Sequence, residues 1–440
     1  MTDLDPGALP ARRSAAPIPV RPVRVARLTI LVLTASTGAG HDSTAAALSD
    51  ALGATLPRAR VLVRDPLGAR AATRSYHQPT ADDRAARAPR LWGWLYHLSN
   101  NRRGVWLGAL IVAVLYGRRL RATIRTMRPD LIISVHPLCA RLAAQSLWGA
   151  RRRTPHHCVV TDLASVHRYW ASGDIAVFYA ATPEAAAALA SHGISLGRIQ
   201  VTGLPLRRAF TAPPHATAPH GASVLRVVVL DGGRATRALE RAVRALLAPG
   251  APLRVTVVCG DNERLRRRLT AMTAGWAMTA GWATVLGRCD DVAGLMRASS
   301  VVVTKAGSAT LAEAWSQARP ALVYRVLPGQ EEGNVALLNH HGRGWSVPVV
   351  DDLPAAVWRA HARGPGLDEA AWWGGAAGRV ATHVVAALAR PDAHEPRPGL
   401  APRTTRGYSA TARAEIAGAG PALCIKKSRR VVCYDRTHWT

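Results

Sequence analysis

The sequence alternates short apolar runs with alanine-rich stretches, and it does so in two separate sets. The strand-like runs of the first set lie at residues 27–33, 60–63, 131–134, 158–161, 175–179 and 198–202. Those of the second set lie at residues 225–230, 254–259, 284–286, 300–304 and 321–324. Strands that alternate with helices predict parallel sheets built from βαβ units. We therefore predict an α/β fold with two Rossmann-like domains that face a cleft.

The chain of 440 residues is long enough for two hydrophobic cores. A stretch rich in Pro, His and Ala, residues 211–223, separates the two sets and is predicted to be a linker. The predicted domains are then residues 27–210 and 224–390. A composition dominated by Pro and Arg predicts a disordered leader at residues 1–26 and a disordered basic tail at residues 391–440.

The formal net charge of +29 is extreme and rests on 54 Arg and three Lys. Such a charge favours nucleic acid, anionic lipid or phosphorylated ligands, although a general preference for Arg over Lys is an alternative explanation. No aromatic and basic RNA-reading motif occurs, so nucleic acid is not expected as a partner. Six cysteines without a CxxC pair argue against a zinc site or a disulfide framework and favour a reducing compartment.

Two apolar segments rich in Trp and Tyr lie beside arginine pairs. Residues 91–96 (LWGWLY) come before Arg102 and Arg103, and residues 104–116 (GVWLGALIVAVLY) follow them. The second segment has 13 residues, whereas a helix needs about 20 to span a bilayer. This pattern favours a segment at the lipid interface, and a buried helix pair is the alternative. We expect a cytoplasmic protein held peripherally at the inner face of the cell membrane, on an anionic membrane surface.

Residues 303–308 (VTKAGS) form a candidate anion-binding turn. The apolar run before the turn predicts a strand, and the sequence ATLAEA after it is typical of a helix. Free backbone N–H groups at a helix start point at an anion. Lys305 is the single Lys outside the tail, and its ammonium is predicted near a phosphate or, alternatively, in a salt bridge beneath the turn. An ordinary strand-to-helix turn is the other interpretation of this segment.

Several motifs occur in a fixed order along the chain. They are TASTGAGH at residues 34–41, SVHP at 134–137, TDLASVH at 161–167 with Trp170 after it, VTKAGS at 303–308 and PGQEEGN at 328–334. In this order they resemble the monogalactosyldiacylglycerol synthase and processive diacylglycerol glucosyltransferase group of glycosyltransferase family 28. The likeness covers about residues 27–385. It implies a GT-B fold, an acceptor lipid on the N-terminal domain and a UDP-sugar on the C-terminal domain.

His41 is predicted to be the catalytic base. It closes a Gly-rich turn after a strand, so it is expected at a helix N-terminus that faces the cleft. The helix dipole there disfavours the imidazolium, so the ring can take a proton. One-step inversion at a sugar carbon needs such a base on the acceptor hydroxyl. A helix-capping role for a lone His is the alternative.

The resemblance also assigns acceptor-binding residues in the N-terminal domain. These are Gly38, Gly40, His136, Pro137, His167 and Trp170. Asp162 follows an apolar strand and is predicted either to orient the base and bind acceptor or to cap a helix. We count it with His41 as catalytic.

The donor site is assigned to the C-terminal domain by the same resemblance. Its predicted residues are Gly232, Gly233, Lys305, Ala306, Gly307, Ser308, Glu313, Arg325, Gln330, Glu331 and Asn334. Backbone donors of residues 306–308 would bind the diphosphate, and Arg325 would balance its charge. Glu313 would accept both ribose hydroxyls, or else be a solvent-exposed helical Glu, and the 330–334 loop would sort sugar hydroxyls. No Asp-x-Asp cluster occurs outside the leader, so neither a metal nor another cofactor is expected.

One turn departs from the family pattern. The second domain opens with LDGGRATR at residues 230–237, where Arg, Ala and Thr stand at later Gly positions. Asp231 beside a diphosphate would repel it unless the side chain points away, although Arg234 and Arg237 could compensate. The leading hypothesis is an inverting transfer of a hexose from a UDP-sugar to a lipid hydroxyl, that of diacylglycerol. A polyprenyl or secondary-metabolite acceptor, and a catalytically impaired relative that binds membrane or nucleotide, are the alternatives.

Overall fold

The computed structural model of the protein describes most of the two predicted domains. The described residues are 28–35, 39–68, 89–147, 154–212, 223–232, 237–274, 282–363, 370–389, 423–427 and 430–434. Among them lie two six-stranded sheets and one two-stranded sheet. The two larger sheets are parallel throughout and alternate with helices, which confirms the predicted α/β class.

The first sheet carries the strand order β2-β1-β3-β4-β5-β6. Its strands are β1 Thr29–Leu33, β2 Arg60–Arg64, β3 Leu131–Ser134, β4 His156–Val159, β5 Val177–Ala180 and β6 Ile199–Val201. Its helices are α1 Ala39–Thr55, α2 Pro89–Ser99, α3 Arg102–Met127, α4 Pro137–Leu147 and α5 Pro183–Ser191. Strands β1 and β3 are almost wholly buried, as expected for parallel strands covered on both faces.

The second sheet carries the strand order β12-β11-β10-β7-β8-β9. Its strands are β7 Leu225–Leu230, β8 Leu253–Val258, β9 Ala283–Leu286, β10 Val301–Lys305, β11 Ala321–Arg325 and β12 Gly344–Ser346. Its helices are α6 Arg237–Leu246, α7 Glu263–Ala274, α8 Val292–Ala298, α9 Ser308–Ser316, α10 Glu332–His340, α11 Leu353–Ala362 and α12 Ala370–Gly374, with α13 Ala376–Leu388 after them. Every predicted strand overlaps an observed one. The short edge strand β12 was not predicted, because three residues beginning with Gly carry no strand pattern.

Helix α13 leaves the second domain and packs on the first. Val380 lies in the same core cluster as Ile30 of β1, and the Tyr179 hydroxyl lies 3.0 Å from His383 Nδ1. The predicted domain at residues 224–390 did not include this crossing. Sequence periodicity marks the apolar face of α13 and does not specify which sheet that face covers.

Helices α2 and α3 form a hairpin whose apolar side chains are exposed. Asn101 caps α3 by accepting a hydrogen bond from the backbone N–H of Gly104 at 2.9 Å. The exposed apolar residues of the hairpin are Leu91, Trp94, Leu95, Leu98, Trp106, Leu107, Leu110, Ile111, Val114 and Leu115. This exposure disagrees with the alternative of a buried helix pair. No helix in the described part of the chain is long and apolar enough to cross a membrane.

The predicted disorder of the tail is wrong for ten of its residues. Strands β13 Leu423–Lys427 and β14 Arg430–Tyr434 pair antiparallel there. Both strands contain β-branched residues, which favour extended backbone. The rest of residues 391–440, the leader at 1–26 and most of the linker at 211–223 lie outside the described residues.

Gly344 is required by a close approach between β11 and β12. Its φ is 137°, and a Cβ there would lie 1.8 Å from the carbonyl oxygen of Ala321. Gly344→Ala is therefore expected to lower the free energy of unfolding by roughly 3–5 kcal/mol in a denaturant titration.

Gly342→Ala is the matched control for this prediction. Gly342 also has a positive φ, 64°, but its Cβ would meet nothing within 4 Å. The free energy of unfolding of this variant should fall by only roughly 1–2 kcal/mol, which is the cost of Ala in a left-handed backbone conformation. Equal losses in the two variants would show that the approach to Ala321 is not what demands glycine.

Candidate active site

The starts of two helices meet across the cleft. Helix α1 follows β1 and helix α9 follows β10, so both begin at the carboxyl ends of parallel strands, where ligands of open α/β sheets bind. A Cβ on Gly40 would lie 3.4 Å from the Cβ of Ala309. The two helix N-termini are thus so close that one added methyl group would bring them into van der Waals contact, and the space beside them is shared by both domains.

His41 is the third residue of α1, and its hydrogen bond defines its tautomer. Its Nδ1 lies 2.8 Å from the carbonyl oxygen of Val135. Because a carbonyl only accepts, Nδ1 carries the hydrogen, and Nε2 bears the lone pair of the neutral ring. Thr161 Oγ1 lies 3.2 Å from the same Nδ1. The ring is therefore oriented with its basic nitrogen at Nε2, as a general base requires.

His136 lies edge-on to His41, with ring centroids 4.5 Å apart. Burial, and secondly repulsion from His41 whenever that ring is protonated, hold the pKa of His136 well below its usual range. Its Nδ1 accepts a hydrogen bond from the backbone N–H of Leu138 at 3.2 Å. His136 is consequently a neutral neighbour of His41, and Pro137 after it begins α4.

Asp162 is held by Trp170. The indole Nε1 of Trp170 donates to Asp162 Oδ2 at 2.7 Å, and its ring centroid lies 6.4 Å from that of His41. Burial raises the pKa of Asp162 to about 6, although the bonds from Trp170 and from the backbone of His167 act in the opposite direction. No helix follows Asp162 in this described segment, so the helix-cap alternative is wrong.

His167 is tied to helix α2. Its Nε2 lies 3.2 Å from Ser99 Oγ, and its Nδ1 accepts from the backbone N–H of Tyr169 at 3.1 Å. Its ring packs edge-on against Tyr96, with centroids 4.8 Å apart. Burial lowers the pKa of His167 to about 4, so the ring is neutral near pH 7. This predicted acceptor residue therefore connects its loop to the α2–α3 hairpin.

Lys305 and Glu331 form an ion pair at the donor turn. Lys305 Nζ lies 2.6 Å from Glu331 Oε1, and Glu331 Oε2 accepts from the backbone N–H of Leu327 at 2.9 Å. The structure thus has Lys305 in a salt bridge, which is the alternative to the predicted phosphate contact. Both oxygens of Glu331 are engaged within the protein, which disagrees with the prediction that this side chain sorts sugar hydroxyls.

The backbone donors predicted at Ala306 and Gly307 are used inside the protein. The N–H of Ala306 donates to the carbonyl of Arg325 at 3.0 Å, and that of Gly307 donates within its own turn. Asn334 Nδ2 donates to the Ala306 carbonyl at 2.8 Å and to Ser308 Oγ at 3.2 Å. The backbone donors left at this turn are those of the first turn of α9, which begins at Ser308 and whose N–H groups have no partner within the helix.

Asp231, the residue that departs from the family pattern, points into the protein. Its two carboxylate oxygens accept from Arg325 Nη2 at 2.9 and 3.2 Å, and only 1% of Asp231 is exposed. Burial raises the pKa of Asp231, and Arg325 opposes that rise. Arg325 thus supplies the cation that this buried carboxylate needs, and its predicted contact with the diphosphate stays a prediction.

The glycines of the predicted site are only partly described. Gly232 is exposed, with a φ of 65°. Gly38 and Gly233 lie outside the described residues.

Glu313 is a buried carboxylate on α9. Burial raises its pKa to about 7, and Arg207, whose Nη2 lies 3.9 Å from Glu313 Oε1, acts to lower it. The alternative of a solvent-exposed helical Glu is therefore wrong. Gln330 is half-buried in the loop after β11. The described residues contain no group of three His, Cys, Asp or Glu that could hold a metal ion.

Sequence patterns did not identify the residues that join the two halves of the site. Tyr96 donates to the Ser165 carbonyl at 2.8 Å, and the N–H of Gly333 donates to Ser165 Oγ at 2.9 Å. Arg207 reaches Glu313 from the end of the first domain. The sequence did contain a signal for Tyr96. It lies two residues from Trp94, so on a helix the two rings point in different directions, and Tyr96 has different neighbours from the exposed Trp94.

Comparison with known proteins places these observations in a family context. The profile of the family described as monogalactosyldiacylglycerol (MGDG) synthase matches residues 41–206. A probable monogalactosyldiacylglycerol synthase 2, chloroplastic, of Oryza sativa subsp. japonica is 29% identical over 352 residues, which are 74% of this chain and 72% of that protein. Monogalactosyldiacylglycerol synthase 1, chloroplastic, of Arabidopsis thaliana is 25% identical over 331 residues, 72% of this chain and 61% of that protein.

Two solved structures share the fold. The glycotransferase of kitacinnamycin has a TM-score of 0.54 at 14% identity and covers 82% of this chain and 99% of its own. MurG of Acinetobacter baumannii has a TM-score of 0.51 at 14% identity, with the same coverage. At this identity the likeness concerns the fold alone.

The predicted cytoplasmic location at the inner face of the cell membrane is wrong. The relatives above are named as chloroplastic proteins. Cysteine spacing indicates a reducing environment but does not distinguish one reducing compartment from another. The fold and the enzyme class expected from the ordered motifs are confirmed: the chain is a GT-B glycosyltransferase that resembles the monogalactosyldiacylglycerol synthases.

Proposed function

We propose that the protein transfers a hexose from a UDP-sugar to the hydroxyl of a lipid, diacylglycerol, with inversion at the sugar carbon. The observation that carries this proposal is the close approach of the two helix starts at Gly40 and Ala309. This approach brings the basic Nε2 of His41 beside the N-terminus of α9, and a helix N-terminus is suited to binding an anion. The relatives are named as monogalactosyldiacylglycerol synthases, which supports a diacylglycerol acceptor and a galactosyl donor.

The donor would lie along α9. The outward N–H groups of its first turn would bind the diphosphate and stabilise its charge as it leaves, so the proposal includes no metal. Glu313 is five residues after Ser308, roughly 7.5 Å along the helix axis. This spacing suits a diphosphate at the helix start and a ribose beside Glu313, whose carboxylate would accept both ribose hydroxyls.

The reaction would proceed in one displacement. His41 Nε2 takes the proton of the acceptor hydroxyl, and the hydroxyl oxygen forms a bond to the anomeric carbon. The bond from that carbon to the diphosphate oxygen breaks, and its electron pair leaves on UDP. The Val135 carbonyl, which accepts from Nδ1, stabilises the imidazolium formed in this step.

The α2–α3 hairpin is proposed to lie on an anionic membrane surface. Its exposed Trp, Leu, Ile and Val side chains recur at three- to four-residue spacing, so on each helix they form an apolar patch along one side. Exposed arginines border the patch, among them Arg102, Arg103, Arg118 and Arg119. Apolar side chains beside cations suit the boundary between headgroups and acyl chains of anionic lipid.

The hypothesis of a catalytically impaired relative loses one of its supports. It was favoured by the altered turn at residues 230–237 and by the unusual tail, and the Asp231 carboxylate of that turn is directed inward onto Arg325. A polyprenyl or secondary-metabolite acceptor would give a different glycosylated product from diacylglycerol. Identification of the product therefore distinguishes these acceptors.

The test is mass spectrometry of lipid products. Purified protein is incubated with anionic vesicles containing diacylglycerol and, separately, with UDP-galactose, UDP-glucose and UDP-N-acetylglucosamine. We expect diacylglycerol to gain one hexose. UDP release without a lipid product would contradict the proposed acceptor, and absence of both would contradict the proposed transfer.

His41→Ala is expected to lower kcat in this assay by roughly 10²–10⁴-fold, the usual contribution of a general base. The affinity for the UDP-sugar should change little, because His41 belongs to the acceptor side. His340→Ala, which alters an exposed His on α10, is the control and should retain full activity. Full activity of His41→Ala would remove His41 from the chemistry.

Glu313 should make UDP-glucose binding depend on pH. Its pKa is raised to about 7 by burial, so the carboxylate is mostly protonated at pH 6 and mostly ionised at pH 8. Because the ionised form accepts both ribose hydroxyls, affinity should rise roughly tenfold between these pH values, as followed by calorimetry.

Glu313→Gln should remove this pH dependence and keep affinity near the low-pH value. Glu332→Gln, at an exposed position of α10, should retain the wild-type slope. An unchanged slope in Glu313→Gln would assign the pH dependence to another group.

Membrane association should depend on two exposed tryptophans. Trp94 and Trp106 are 60% and 67% exposed. Replacing both with Gln should weaken co-sedimentation with phosphatidylglycerol vesicles by roughly tenfold or more, since each indole would lose its apolar contact with lipid. Leu196→Gln is the matched control, because Leu196 is 59% exposed but lies outside the hairpin. Equal loss in the control would argue against a specific lipid-binding face.

A further inference from the structure

Helix α2 has two faces with different partners. Leu91, Trp94, Leu95 and Leu98 lie on the exposed apolar face. Gly93, Tyr96 and Ser99 follow at three-residue spacing, which places them together on another face. This second face contacts loops of both domains, whereas the first is free to contact lipid.

The donor loop, residues 328–333, packs directly on this second face. A Cβ on Gly93 would lie 2.7 Å from the Cβ of Pro328. A Cβ on Gly329, whose φ is 80°, would lie 2.6 Å from the ring of Tyr96. A side chain at either glycine would clash with the opposite residue. The donor loop and helix α2 can therefore pack this closely only with glycine at these two positions.

The acceptor loop, residues 161–170, is bonded to the same helix. The Tyr96 hydroxyl donates to the Ser165 carbonyl at 2.8 Å, and Ser99 Oγ lies 3.2 Å from His167 Nε2. Just after α2, Asn100 Oδ1 accepts from the backbone N–H of Arg168 at 2.8 Å. One helix therefore holds the loop that carries Asp162 and Trp170.

The two loops also lead into the reacting groups. In the donor loop, Glu331 pairs with Lys305, and Asn334 just after the loop bonds the Ala306 carbonyl. The N–H of Gly333 joins the two loops through Ser165 Oγ. A displacement of α2 would therefore be transmitted to the turn before α9.

We infer that Gly93 and Tyr96 are positioning residues that couple the seating of α2 on a membrane to the affinity of the donor site. The inference rests on the proposed function. A bilayer that takes up the apolar face of α2 restricts the helix, and the restricted helix holds the donor loop in its binding conformation. UDP then binds a protein that is already ordered and loses less conformational freedom.

The test is the affinity for UDP, measured by calorimetry with and without phosphatidylglycerol vesicles that lack diacylglycerol. Wild-type protein is expected to bind UDP roughly fivefold or more tightly on vesicles. Gly93→Ala should lose this gain in affinity, because the added methyl group meets Pro328. The variant should still sediment with vesicles, because Ala favours the helical conformation of α2. Gly378→Ala, a helical Gly whose Cβ would meet nothing within 4 Å, is the control and should keep the gain.

Two further variants distinguish positioning from misfolding. Pro328→Gly added to Gly93→Ala removes the opposing Cβ and should recover the gain, which a misfolded protein would not do. Tyr96→Phe retains the ring against Gly329 and should keep more of the gain than Tyr96→Ala.

The outcomes separate this inference from the proposed function. Wild-type protein that forms glycolipid but binds UDP equally with and without vesicles would overturn the inference alone. An undiminished gain in Gly93→Ala would do the same. Wild-type protein that neither binds UDP nor forms product would overturn the proposed function, and the inference with it.

Discussion

The close approach of two helix N-termini is the constraint on which the candidate site depends. Helix α1 brings His41 and helix α9 brings outward N–H groups, and a Cβ added at Gly40 would lie only 3.4 Å from the Cβ of Ala309. Both helix ends carry partial positive charge, so their approach is unfavourable without an anion between them. A diphosphate would supply that anion, and the same approach places it beside the base. Binding and proton transfer thereby follow from one packing arrangement.

Buried charges around the donor turn are compensated in pairs. Lys305 is paired with Glu331, and Arg325 is paired with Asp231. Breaking either pair would leave an uncompensated buried charge, which is strongly destabilising. These pairs therefore stabilise the conformation of the turn. The donor would then be bound by backbone N–H groups and by Glu313. The acceptor side is organised differently, by neutral histidines and by an indole that bonds Asp162.

The strands could be predicted from the hydrophobicity of short sequence segments, because fully buried parallel strands appear as apolar runs between turns. The sequence also predicted that His41 begins a helix, since a Gly turn and an Ala-rich stretch are adjacent in sequence. The partner of Arg325 could not be predicted, because Asp231 lies 94 positions away and pairs with it only after β7 and β11 enter one sheet. The return of α13 to the first domain and the second face of α2 are likewise products of tertiary packing.

A crystal structure of the protein with UDP would show where the donor binds. We expect diphosphate oxygens about 3 Å from the first backbone N–H groups of α9, at Ser308 or Ala309. We also expect both ribose hydroxyls on the carboxylate of Glu313. A diphosphate bound at the turn after β7, with the ribose away from Glu313, would contradict the proposed donor site.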